Sequence, residues 1–147
     1  MGREAVTQRI LENKRRLNLT WAEIARAVGK SEAWVAAGCL GQATFSPQEA
    51  TRLGSLLQME DDEVEPLTVI PHRGDTMDVP PRDPTLYRLY EIVLVYGETI
   101  KELVHEKFGD GIMSAIDFTM DIDRIPDPAG DRVQVTMSGK FLPYKTW

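Results

Sequence analysis

A single cysteine, two histidines and no long apolar run set the first limits on this 147-residue chain. Cys39 has no second thiol to pair with, and its neighbours Ala36, Ala37 and Leu40 make it a small buried hydrophobe rather than a nucleophile. His72 and His105 both stand far from it in sequence. There is no H-x-x-x-H or C-x-x-C spacing, so a metal site would have to rest on carboxylates, and no metal cofactor is expected. The most apolar stretches, Ala33 to Leu40 and Ile92 to Tyr96, fall far short of the roughly 20 residues that a membrane-spanning helix needs. Residues 1–30 are dotted with charges and hold no signal-type apolar core. Gly2 could open a myristoylation motif, but Val6 stands where that motif wants Ser or Thr. The expectation is a soluble cytoplasmic protein with no membrane partner. Basic residues are missing in one telling place: from Ser31 through Thr51 there is no Lys or Arg.

What is present is globular in composition, with 42% hydrophobic residues, 27% charged and a formal charge of −6. The length suits one domain or two small units, and the two halves are written differently. The first reads as helices. Ile10, Leu11, Lys14 and Leu17 mark a short one. Thr20 and Glu23 then have the spacing of a capping box, Gly29 can take a left-handed turn, and Ser31 caps a second helix bearing Ala33, Trp34, Val35 and Ala37. Ser46-Pro47 opens a further helix whose Ala50, Leu53, Leu56 and Leu57 repeat at helical spacing. An acidic stretch from Glu60 to Glu65 and five prolines between Pro66 and Pro84 read as an extended linker, with a boundary near Asp75.

The second half opens on Asp83-Pro84 and a long helix from about Thr85 to Phe108, with Leu86, Leu89, Tyr90, Val93, Leu94, Ile100, Leu103 and Val104 as its apolar face. Gly109 stops it. Phe118, Met120 and Ile122 then alternate with Thr119, Asp121 and Asp123, as do Val133, Val135 and Met137 beyond the turn Asp127 to Asp131: a strand pair with one buried face. The fold class is therefore α+β, with a helical unit over residues 1–75 and a helix plus β-hairpin unit over 76–147. A unit of the second kind is too small to bury its own apolar surface, and it has neither disulfide nor metal to compensate. Association with further copies of the chain is the expected remedy.

Residues Thr20 to Leu40 resemble the helix-turn-helix of DNA-binding repressors. Such a second helix must face a polyanion and offer donors to base edges, whereas this one offers Glu32, Trp34 and small apolar side chains. The cluster Lys14, Arg15, Arg16 is more simply a solvated helix face. No nucleic-acid partner is expected. A helix-turn-helix regulator with a small-anion-sensing dimerisation domain is the alternative to an enzyme.

Chemistry points to two segments. Arg88 and Glu91 in Y-R-L-Y-E are three apart and share a helix face. On spacing alone a surface ion pair worth about 0.2–0.5 kcal/mol is the readier reading, but Tyr87, Leu89 and Tyr90 suggest a covered stretch. Ser114 lies among Ile112, Met113, Ala115 and Ile116, where its simplest role is a bond to nearby backbone. His105, beside Glu106 and Lys107, reads as solvated.

The run E-K-F-G-D-G-I-M-S-A-I, following Y-R-L-Y-E and preceding G-K-F-L-P at Gly139 to Pro143, resembles the signature region of the cyanases (cyanate hydratases). The A-E-I-A segment and Leu40-Gly41-Gln42 fit as well, so the similarity covers nearly the whole chain and is strongest from Asp83 onward. The chain departs from the family at Asp75, where bacterial members can carry a cysteine, and in a hairpin turn one residue shorter. The resemblance implies Arg88, Glu91 and Ser114 as catalytic residues, with Ala115 and Ile112 joining Arg88 and Ser114 around the substrate. It further implies bicarbonate as co-substrate, no metal or other cofactor, and a decamer of interlocked dimers with sites between subunits.

Overall fold

In a computed structural model, residues 2–74 and 77–147 are described. The chain divides into two compact units, Met1–Gly74 and Asp75–Trp147. The boundary expected near Asp75 falls on a residue outside those described.

The N-terminal unit comprises α1 (Arg3–Arg16), α2 (Trp21–Val28), α3 (Glu32–Cys39), α4 (Pro47–Leu57), α5 (Asp61–Val64) and a 3₁₀ turn, Glu65–Thr68. Its capping signals behave as their chemistry dictates. The Thr20 hydroxyl accepts from the Glu23 amide at 3.2 Å while the Glu23 carboxylate takes the Thr20 amide at 2.7 Å. Gly29 closes α2 at φ 83°, a left-handed conformation that costs glycine nothing. Ser31 caps α3 through the Trp34 amide, and Ser46 with Glu49 repeats the capping box on α4 behind Pro47. α2, the glycine turn and α3 thus form the expected helix-turn-helix.

All these helices point apolar residues at one core: Val6, Ile10, Ile24, Val28, Val35, Cys39, Phe45, Leu53, Leu57, Val64 and Leu67 are buried. Burial on that scale is worth about 1.5–3 kcal/mol for each large side chain and outweighs weak local propensity. Two expectations need correction. First, α1 does not begin near Ile10 but at Arg3, and its buried stripe is Val6, Ile10 and Asn13. Asn13 passes for a surface residue, yet it donates at 2.9 Å to the Leu57 carbonyl at the end of α4, satisfying a helix-terminal acceptor inside the core. Arg3 fixes the start of α1 by donating to the carbonyls of Pro66, Val69, Gly38 and Ala43. Leu17 is the C-cap, and Lys14 lies 5.1 Å from the Trp21 ring instead of joining a core. Second, the acidic stretch is no linker. It forms α5 and the 3₁₀ turn, exposing most of its carboxylates, with Glu63 half-buried beside Arg9, while Val64 and Leu67 seal the core.

The C-terminal unit holds α6 (Pro84–Phe108), then β1 (Gly111–Ile125) and β2 (Arg132–Pro143). The two strands pair antiparallel, from Gly111 opposite Pro143 to Ile125 opposite Arg132. The Asp83 carboxylate caps α6 through the amides of Thr85 and Leu86 at 2.8 and 3.1 Å. Gly109 ends the helix, and Phe108 stacks on Phe141 at 5.1 Å across the corner. His105 is not simply solvated: its ring bridges Lys101 at 2.8 Å and the Gly109 carbonyl at 2.9 Å, tying off the last turn. No residue of α6 is buried in the single chain, so the apolar face expected from the periodicity is open to solvent. The strand face bearing Ile122, Val133, Val135 and Met137 is likewise exposed instead of buried.

Candidate active site

Arg88 sits in the second turn of α6, the helix whose N-terminus the Asp83 carboxylate caps. Its Nη1 donates to Glu91 Oε2 at 2.7 Å, and its guanidinium carbon lies 5.8 Å from the Tyr87 ring centroid. Tyr87 and Tyr90 are 6.2 Å apart, centroid to centroid. The stretch expected to be covered is open in the single chain, with side-chain exposures of 68% for Arg88 and 47% for Glu91. Glu91 engages one N–H of a guanidinium that has five, which fixes the fork and leaves the remaining donors for an anion.

Ser114 is held quite differently. The strand ladder runs in register to Met113 opposite Phe141 and resumes at Phe118 opposite Gly139. Between these pairs β1 carries residues 114–117 and β2 only Lys140, so β1 bulges outward. Ser114 starts that bulge and is 5% exposed, whereas Ile116 at its crest is 97% exposed. The Ser114 hydroxyl oxygen accepts from the amides of Ile116 at 3.0 Å and Asp117 at 2.9 Å. The backbone-bonded role is therefore real, but it does not exhaust the group. A hydroxyl has two acceptor positions and one donor. With both acceptor positions engaged, the Ser114 hydroxyl has only its donor left to offer, and the two amides polarise that O–H. Ala115 and Ile112 are exposed on either side, Ile112 paired with Leu142.

One chain does not bring these groups together. Arg88 and Phe108 lie twenty residues apart on a continuous helix, about 30 Å along its axis. Ser114 follows Phe108 by six residues, which span at most about 20 Å fully extended. Beyond the Phe108–Phe141 corner, α6 does not pack along the hairpin. An open depression of about 680 Å³ lies beside the start of α6, lined by Asp78, Val79, Pro80, Pro81, Arg82 and Tyr87, and it takes in neither Arg88 nor Ser114. Cys39 is no competing nucleophile: burial pushes its thiol up to about 12. Among the described residues, no group of three or more His, Cys, Asp or Glu side chains is placed to hold a metal ion.

An arginine fork fixed by a carboxylate and a donor-only serine suit small anions, and comparison with known proteins supplies the context. Residues 3–71 match the family model described as cyanate hydratase, N-terminal, and residues 78–146 that of the cyanate lyase C-terminal domain. The chain belongs to the cyanate lyase family. Cyanate hydratases of Polynucleobacter asymbioticus, Polaromonas sp. and Thiobacillus denitrificans are 56%, 54% and 52% identical to it over all 147 residues, the full length of both chains in each case. Among solved structures, the crystal structure of cyanase from T. urticae superposes with a TM-score of 0.85 at 33% identity, covering 94% of this chain and 96% of that one. The α+β arrangement of helical bundle and hairpin is thus that of a cyanate lyase, and the transcription-regulator alternative finds no support among these relatives. No helix among the described residues is long and apolar enough to cross a membrane.

Proposed function

We propose that the protein is a cyanase that decomposes cyanate with bicarbonate, using Arg88, Glu91 and Ser114. The observation that carries this reading is the end-to-end likeness to enzymes named cyanate hydratase. The geometry of the two segments says how the chemistry would run. A bicarbonate oxygen attacks the cyanate carbon, the cyanate nitrogen takes up a proton, and the adduct loses carbon dioxide to leave carbamate. Carbamate takes up a second proton and breaks down to ammonia and a second carbon dioxide. No redox change occurs, and neither metal nor cofactor is called for.

The physical obstacle is that both reactants are anions. A guanidinium answers it, being permanently charged and able to grip two oxygens at once. Arg88 neutralises the pair, Glu91 keeps the fork oriented and assists proton management, and Ser114 donates its polarised O–H to the adduct. Ala115 and Ile112 flank the bound anions. Holding the reactants side by side removes much of the entropic barrier. Since one chain holds Arg88 on α6 and Ser114 in the β1 bulge with no contact between them, the site is completed by other copies, in a decamer of interlocked dimers. The exposed apolar face of α6 and the undersized C-terminal unit support that assembly. The cytoplasm is the proposed setting, where a single unpaired thiol is ordinary.

Ammonia release from cyanate, measured with and without added bicarbonate, tests the reading. Release that requires both anions is expected; its absence with both present would overturn the assignment.

A further inference from the structure

The Ser114 bulge depends on a feature of the opposite strand. Gly139 stands in β2 opposite Phe118, where the ladder resumes. A Cβ placed on it would come to 2.4 Å from the Ser114 carbonyl oxygen, 2.6 Å from Met113 Cγ and 3.3 Å from Met113 Sδ. Real Cβ atoms essentially never approach a neighbour below 3.0 Å. The sulfur could swing away, but the carbonyl is backbone and could not. Any larger residue must push Ser114 outward by more than half an ångström. Glycine inside a strand otherwise weakens it, and its place there marks a bulge or a close approach of backbone. Both apply here.

We propose that Gly139 is a positioning residue for Ser114: its missing side chain is the space into which the Ser114 main chain settles, and this sets where the catalytic hydroxyl points. The proposal rests on the reading of Ser114 as the anion's donor. The carbonyl that Gly139 admits and the hydroxyl that meets the anion belong to one residue. That hydroxyl is also tied to the amides of Ile116 and Asp117. A push on the carbonyl therefore carries the hydroxyl with it and loosens both amide bonds. Gly111, on the other strand, is equally crowded but against a different neighbour: a Cβ there would meet the Leu142 carbonyl at 2.4 Å and the Phe141 ring at 2.5 Å. Gly111 thus guards the pairing at the hairpin's open end, and Gly139 guards the bulge.

The test uses the full-length protein in four forms: wild type, Ser114→Ala, Gly139→Ala and the double variant. Each is assayed for ammonia release and for assembly by gel filtration. Displacement of the hydroxyl by a fraction of an ångström to 1 Å should lower kcat of Gly139→Ala about a hundred-fold, with KM for both anions little changed and assembly intact. Because Gly139 acts through Ser114, the double variant should be no slower than Ser114→Ala alone. A wild-type kcat in Gly139→Ala beside a slow Ser114→Ala would overturn the proposal and leave the serine in the site. Losses that multiply in the double variant would overturn it too, since they mean damage independent of Ser114. Wild-type turnover in Ser114→Ala would instead remove the serine assignment, and this proposal with it. If Gly139→Ala does not assemble, Met113→Ala/Gly139→Ala relieves the side-chain part of the clash and keeps the carbonyl part. Referred to Met113→Ala, it should assemble and still lose kcat; full kcat there refutes the positioning role.

Discussion

The N-terminal unit buries Val6, Ile24, Leu53, Leu67 and their neighbours in one closed core; the C-terminal unit buries almost nothing. Beyond Leu67 the buried positions among the described residues are Pro81, Gly111 and Ser114, none of them a large apolar side chain. The helical unit therefore has the means to be stable alone. The helix-and-hairpin unit displays Leu89, Val93, Leu94, Val95 and Ile100 to solvent in the single chain. The difference teaches where function lies. Packing in the first unit is finished within the chain, while the second leaves its apolar face and its chemistry to be completed by copies of itself, under the function proposed above.

The sharpest way to break this contrast is to place a charge on the open face of α6. Val93 is 60% exposed in the single chain, so Val93→Asp costs the isolated chain little. An unpaired charge buried between copies is expensive. Sedimentation velocity should show small species, and ammonia release should fall to background with the far-ultraviolet circular dichroism of the helices retained. A fully assembled, active Val93→Asp protein would mean that this face is not an interface. A core truncation does the reverse. Leu53→Ala empties a fully buried position and should cost about 2–5 kcal/mol in urea unfolding of the helical unit. Below the unfolding transition, kcat should stay near wild type; a selective loss of kcat would couple this core to the chemistry.

A smaller effect concerns acid. The Glu49 carboxyl is held below the usual glutamate range chiefly by the Ser46 amide, with the Ser46 hydroxyl and Lys30 adding to it, and Thr20 does the same for Glu23. A lowered folded-state pKa means that this stability is present above the ordinary glutamate value and is lost as pH falls through the lowered one. The urea midpoint of the helical unit should therefore decline on acidification. Ser46→Ala should cost about 1 kcal/mol at neutral pH through loss of the hydroxyl cap, whereas Glu49→Gln, which removes the titrating carboxyl itself, should flatten that decline. An unchanged acid profile in Glu49→Gln would show that the capping box does not set it.

Much of the first unit was legible because its signals are local. Thr20 with Glu23, Gly29, Ser31 and Ser46-Pro47 each act within a turn of where they stand, and each cap forms as spaced. The start of α1 was not legible, since Arg3 finds its carbonyls 35 to 66 residues away and Asn13 is a core residue only because α4 ends beside it. The acidic run hid α5 because a helix of four residues has room for one inward apolar residue, Val64, behind three successive carboxylates. In the second unit the periodicity of α6 gave the helix but not the exposure of its apolar residues, which depends on what covers them. The Arg88–Glu91 pair followed from spacing. The donor-only state of Ser114 did not, for it depends on a bulge that a glycine 25 residues further along the chain makes possible.

The central claim is that an active site needs Arg88 and Ser114 from different chains. Subunits of Arg88→Ala and Ser114→Ala, each inactive alone, can be mixed and exchanged, with exchange verified by differential labelling and mass spectrometry. Recovery of part of the wild-type ammonia release in the mixture is the predicted result; verified exchange with no recovery would contradict it.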